Sequence, residues 1–177
     1  MKLLYVHHSP STGGASNSLK FLISGLKSKN IDIYIICPPG KVFENFLELT
    51  PNVYEIEGLP LLMATSGTNF ALIRALQSFR YIGQLKKVYD LAREIKPDII
   101  HLNDIGQLIL AKKLKKSGFK VVMHARVAIN TNYRALTKYT VYTINKYIDH
   151  VFAIDGSVKN KLRGVKRIKI VYNPLQP

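Results

Sequence analysis

At 177 residues with a 47% apolar composition, the chain suits one domain with a buried core, which excludes an intrinsically disordered protein. Its one cysteine, Cys37, excludes a disulfide framework and suits a reducing cytoplasm, and no apolar run approaches the ~18 residues of a membrane span. The net charge of +15 lies entirely after residue 73, where 21 Lys and Arg face six acids, and such an excess points to an anionic partner.

Residues 3–6 read as a first buried strand, and the apolar stretch ends at His7, too soon for a signal peptide. A Ser- and Gly-rich turn then opens onto a helix, with Leu19, Leu22, Ile23 and Leu26 at i, i+3, i+4 and i+7. Gly13 and Gly14 leave no Cβ above that turn, and the helix start offers unpaired amides. The turn is therefore either an anion site or an ordinary loop whose glycines make room for the chain. Residues 31–37 are β-rich and closed by Pro38-Pro39-Gly40. Cys37 ends that run and reads as a small buried hydrophobe. A short helix over 43–49 and a strand over 53–56 follow, then a loop over 59–68.

The helical pattern over 69–96 shifts its apolar face at Gly83, giving one kinked helix or two. Lys96-Pro97-Asp98 ends it and starts a strand at 99–102. Asp104 suits an N-cap for a helix over 105–116, with Gly118 as its stop. Strands at 120–124, 150–154 and 168–172 alternate with helices at 133–148 and 157–163. About seven strands alternating with helices predict a doubly wound, Rossmann-like α/β domain, a parallel sheet covered on both faces.

In such folds ligands bind outside the carboxyl ends of the strands. The polar residues there are His7 and His8, then His101, Asn103 and Asp104, then His124 and Arg126, then Asp155. That density of ionisable groups favours a site. Adjacent strand residues point to opposite faces, so His7 and His8 make a poor metal chelate.

The order of these segments resembles the N-terminal domain of glycosyltransferase family 4, retaining enzymes of the two-domain GT-B architecture. The resemblance runs through Tyr5-Val6-His7, Gly13-Gly14-Ala15-Ser16, Lys96-Pro97-Asp98-Ile99-Ile100-His101-Leu102-Asn103 and Val121-Val122-Met123-His124-Ala125-Arg126. It continues in Val151-Phe152-Ala153-Ile154-Asp155-Gly156-Ser157, where Asp155 replaces a more usual serine, and in Ile170-Val171-Tyr172-Asn173-Pro174. The resemblance implies that 1–177 is one N-terminal domain whose donor-binding C-terminal partner lies outside it, so that it is inactive alone.

It further implies transfer from a nucleotide-sugar to a saccharide or lipid-linked acceptor, with no metal or other cofactor. His124 would be the catalytic residue nearest the sugar. Gly13, Gly14, Ala15 and Ser16 would face the donor diphosphate or acceptor, and His101, Asn103, Asp104 and Arg126 would line the acceptor cleft. Asp104 also suits a plain cap, and Arg126 suits either a solvated loop or a pairing with the diphosphate or a phosphorylated acceptor.

The basic half offers a surface as well. Arg134, Lys138, Tyr142 and Lys146 recur every four residues beside Tyr139 and Tyr147, and Lys112, Lys113, Lys115 and Lys116 form a second cluster. These suit either solvated helix faces or peripheral docking on an anionic membrane, on the cytoplasmic side. A basic α/β domain binding nucleic acid or another polyanion is the rival, although no recognition module is present. A dinucleotide-binding dehydrogenase fits less well, because the Gly-x-Gly-x-x-Gly turn is missing.

Overall fold

The computed structural model describes residues 1–61, 79–127, 129 and 134–173. Seven strands form one sheet, in the order β3-β2-β1-β4-β5-β6-β7. They are β1 (Lys2–Val6), β2 (Asp32–Cys37), β3 (Val53–Glu55), β4 (Ile99–Leu102), β5 (Val121–Ala125), β6 (His150–Ala153) and β7 (Ile168–Ile170). Every pairing is parallel. Central strands buried on both faces need apolar residues throughout, which is why β1, β4 and β5 are nearly continuous apolar runs.

The helices are α1 (Gly14–Leu26), α2 (Lys41–Leu47), α3 (Gln84–Ile95), α4 (Leu108–Lys116), α5 (Arg134–Tyr147) and α6 (Gly156–Lys161). Strand alternation sorts them into two layers. Leu3, Tyr5, Ile33 and Ile35 meet Leu19 and Ile23 of α1 and Val42 and Phe46 of α2 on one face. Leu4, Val6, Ile100 and Met123 meet Val88 of α3, Leu110 of α4, Ile144 of α5 and Val158 of α6 on the other. The split accompanies the winding of the chain, which moves outward from β1 one way and from β4 the other.

The expected architecture is therefore present, with local differences. Asp104 caps a 3-10 turn, Ile105–Gln107, and the α-helix proper starts only at Leu108. Gly118 does end that helix, at φ +88°, where a Cβ would be strained. Gly83 marks a break: a 3-10 turn at Phe79–Tyr81 precedes α3, so the described part of the long helical pattern is two pieces. The rest of that pattern, and most of the loop expected at 59–68, lies outside the described residues. The last strand stops at Ile170 instead of Tyr172, because the chain turns away to place Asn173 over α1.

Candidate functional site

β1 and β4 lie side by side in the sheet, yet their following helices leave in opposite directions, so the switch point falls between their carboxyl ends. Asn103, just past β4, is fully buried there. Its main-chain N–H donates to Val6 O at 2.9 Å, extending the β1–β4 ladder by one step. Its side-chain Nδ2 donates to Ala15 O at 3.2 Å and to His7 Nδ1 at 3.0 Å, and its Oδ1 accepts from Arg126 Nε at 2.7 Å. One amide thus ties the loops after β1, β4 and β5 together.

Arg126 carries the tie outward. Its Nη1 donates to Ser18 Oγ at 2.7 Å and to Asn173 Oδ1 at 3.0 Å, while Ser18 Oγ donates to Asn173 Oδ1 at 2.6 Å. The segment after β7 is held on α1 by this triangle. Arg126 Nη2 has no partner among the described residues.

A row of rings lies beneath. Tyr5 and His101 have centroids 5.0 Å apart, His101 and His124 5.8 Å, and His124 and Phe152 6.2 Å. Tyr5 belongs to the sheet face that α1 and α2 cover, and His101 pairs beside it in register. Burial, reinforced by its neighbour His124 and by the Arg126 charge, lowers the His101 pKa to about 3. The same causes, burial first and Arg126 second, lower His124 to about 4. His7 falls to about 3 through burial, then the neighbouring His8, then Arg126. All three rings are neutral at pH 7, so each has one donor and one acceptor nitrogen. Neither ring nitrogen of His124 makes a hydrogen bond of normal geometry, although the Val171 main chain is close enough to offset part of the shift.

Above His124 and Arg126 runs a groove of about 330 Å³, walled by Phe21, Leu22 and Leu26 of α1 and by Val171 and Tyr172. His124 and Arg126 both line it. The other predicted cleft residues sit lower. Asn103 is engaged at both ends of its amide, His101 is stacked between Tyr5 and His124, and Asp104 Oδ1 accepts from Gly106 N at 3.0 Å as a cap. They fix the floor on which Arg126 and His124 stand.

The Gly13-Gly14 turn lies at the start of α1. Ser16 Oγ both accepts from Gly13 N and donates to Gly13 O, each at 2.9 Å, and the helix ladder begins with Asn17 N donating to Gly13 O at 3.0 Å. A Cβ built on either glycine meets nothing within 4 Å, and neither has a positive φ. The chain's own path therefore does not require these glycines. Their absent side chains leave the first amides of α1 open to approach from outside.

Ser18, Asn173, Tyr5 and Phe152 also belong to this constellation; Tyr5, Phe152 and Asn173 lie in segments that carry the family resemblance, but the sequence alone assigned none of the four to the site. Ser18 is a buried polar residue on an otherwise apolar helix flank, a weak signal; Asn173 meets it from 155 positions away. Among the described residues no three His, Cys, Asp or Glu cluster as metal ligands, and no helix is long and apolar enough to cross a membrane. Cys37 is buried, with its thiol pushed up to about 12 by burial and then by Glu55.

The basic surface is narrower than the sequence suggests. Lys115 pairs with Asp149 at 2.7 Å, Lys113 lies over the Tyr89 ring, and Tyr147 is turned inward. Arg134, Lys138, Tyr139, Tyr142 and Lys146 are exposed along α5, with Lys112 and Lys116 exposed on the adjacent α4. Lys146 Nζ donates to Tyr142 Oη at 2.9 Å, holding that phenol below its usual pKa.

Comparison with known proteins agrees with this architecture. Anabaena HepE, solved with UDP and glucose, superposes with a TM-score of 0.67 at 17% identity, over 99% of this chain and 45% of HepE. The lipopolysaccharide outer core galactosyltransferase WaaB, in its apo form, gives 0.63 at 19% identity, over 99% of this chain and 46% of WaaB. Acinetobacter baumannii MurG gives 0.53 at 12% identity, over 88% and 42%. The chain thus spans a little under half the length of these GT-B structures. No curated protein matches it in sequence. The sequence profile of Glycosyltransferase Family 4 matches residues 12–177, nearly the whole chain, and the chain belongs to that family.

Proposed function

We propose that these residues form the acceptor-side half of a retaining glycosyltransferase that uses a nucleotide-sugar donor and a saccharide or lipid-linked acceptor. The observation that carries this is the Asn103-centred network, which locks the loops of β1, β4 and β5 at the switch point and presents Arg126 and neutral His124 to an open groove. The sugar chemistry comes from the likeness to HepE, solved with UDP-glucose, and to the galactosyltransferase WaaB. In this proposal the open amides at Gly14, Ala15 and Ser16 face the leaving diphosphate, each charge there being worth about 0.3–1 kcal/mol. Neutral His124 hydrogen-bonds hydroxyls of the reacting sugar and helps hold it in line for transfer. No residue is assigned to a metal or cofactor.

The donor half is supplied from outside residues 1–177. The test is sugar transfer by 1–177 alone and by a form that includes a donor-binding half. The fragment should give no turnover, and the complete form should. In the complete form His124→Ala should lower kcat by about 10²-fold or more, far more than it lowers the expression level. Robust turnover by the fragment, or wild-type kcat in the variant, would remove this assignment.

A further inference from the structure

Among the described residues Arg126 is a buried cation without a bonded counter-ion. It is 7% exposed, and its hydrogen bonds to the described residues end on the neutral oxygens of Asn103, Ser18 and Asn173. The nearby histidines are neutral. The chain has eleven carboxylate side chains, all among the described residues, since 62–78, 128, 130–133 and 174–177 contain no Asp or Glu. None of them bonds the guanidinium. Asp104 acts on it only through space, with a carboxylate oxygen already capping Gly106 N. Burial without a paired anion is costly enough to pull the Arg126 pKa down to about 10.

The surroundings define what is missing. Arg126 is the one charged residue lining the groove among the described residues, so the site matches a ligand group with a single compensating oxyanion. The walls beyond Arg126, formed by Phe21, Leu22, Leu26, Val171 and Tyr172, are apolar. Nη2 has no partner among the described residues, and the neutral ring of the adjacent His124, which makes no hydrogen bond of normal geometry there, has one N–H, so a planar carboxylate or a phosphoryl group would find two donors side by side.

We propose that Arg126, with His124 beside it, binds the carboxylate or phosphate-monoester group of an acceptor whose neighbouring portion is apolar and lies along α1. The assignment to the acceptor rests on the glycosyl-transfer function above; the binding itself does not, and it is measured without donor or turnover.

The probes are hexyl phosphate, hexanoate and the neutral hexanol, titrated into the 177-residue chain and followed by calorimetry and by NMR of the His124 ring. At least one anion should bind about tenfold or more tightly than hexanol, and the preferred anion tells phosphate from carboxylate. Binding should raise the His124 pKa from about 4, by neutralising the Arg126 charge. Arg126→Gln should abolish the preference for anions. If that variant fails to fold, the wild-type His124 titration decides. Equal binding of hexanol and both anions, or an unmoved His124 pKa at saturation, overturns the proposal. Anion binding that brings activity in no complete enzyme would leave the site standing and sink the transferase assignment instead.

Discussion

Asn103 is the residue on which the site turns, because its two amide ends face partners of opposite character. Oδ1 accepts from Arg126, while Nδ2 donates to Ala15 O and His7. Asn103→Asp keeps the first contact and makes it charge-assisted, but turns the other end into an acceptor facing the Ala15 carbonyl at 3.2 Å. We expect a net stability loss of about 1–3 kcal/mol in denaturant titrations, the range for a buried polar group left without its partner. The same carboxylate should raise the His7 pKa from about 3 and reduce anion binding at Arg126, because the guanidinium then has an internal counter-ion. A variant as stable as the wild type with unchanged His7 titration would show that the amide is not oriented as described. His124 and Arg126 were legible in the sequence because they end a strand, and strand ends are where α/β sites form. Ser18 and Asn173 were not, since their meeting depends on how the segment after β7 folds back.

Elements were easier to read than their ends. The strands stand out because a doubly covered parallel sheet demands short continuous apolar runs, and β1, β4 and β5 are such runs. Ends depend on single hydrogen bonds. Asp155 illustrates this: where the family more often has serine, its Oδ1 accepts from Val158 N at 2.7 Å and caps α6. Asp and Ser are near-equal N-caps, so Asp155→Ser should change stability by less than about 0.5 kcal/mol, whereas Asp155→Ala should cost about 1 kcal/mol. Thermal melts of the two variants test this, and a large loss in the serine variant would mean that the carboxylate does something beyond capping. The shift of the apolar face at Gly83 marked the place of a break but left one kinked helix or two open, and the early end of β7 escaped the sequence for the same reason. Periodicity shows which face is apolar, not where a helix ladder or strand ladder loses its last bond.

At the scale of the whole molecule, the uneven charge and the closed histidine cluster make separate predictions. The exposed row on α5, with Lys112 and Lys116 beside it, has partly exposed tyrosines among cations, a combination suited to an anionic lipid surface. We propose peripheral docking there: wild-type protein should bind anionic vesicles, and Lys138→Glu with Lys146→Glu should weaken binding by about tenfold or more at low salt. Unchanged binding would exclude this face, and salt-sensitive RNA binding without any vesicle binding would favour a polyanion partner.

The histidines bear on stability. His7, His101 and His124 are lowered from 6.5 to about 3, 3 and 4, so the folded state excludes protons that the unfolded chain accepts once pH falls below about 6.5. The stability they hold is present above that pH and drains away as pH falls toward 4. Each ring contributes a slope approaching 1.4 kcal/mol per pH unit, so between pH 6.5 and 5 the three together should remove about 3–5 kcal/mol. Carboxylates ionise mainly below this window, so the loss over it belongs to the histidines, and His8, lowered by burial against the opposing pull of Asp104, adds to it in the same direction. Urea midpoints measured from pH 7 to 5 check the expectation. A flat profile would mean that the rings protonate in place, and that the floor beneath Arg126 already holds water or an anion able to stabilise them.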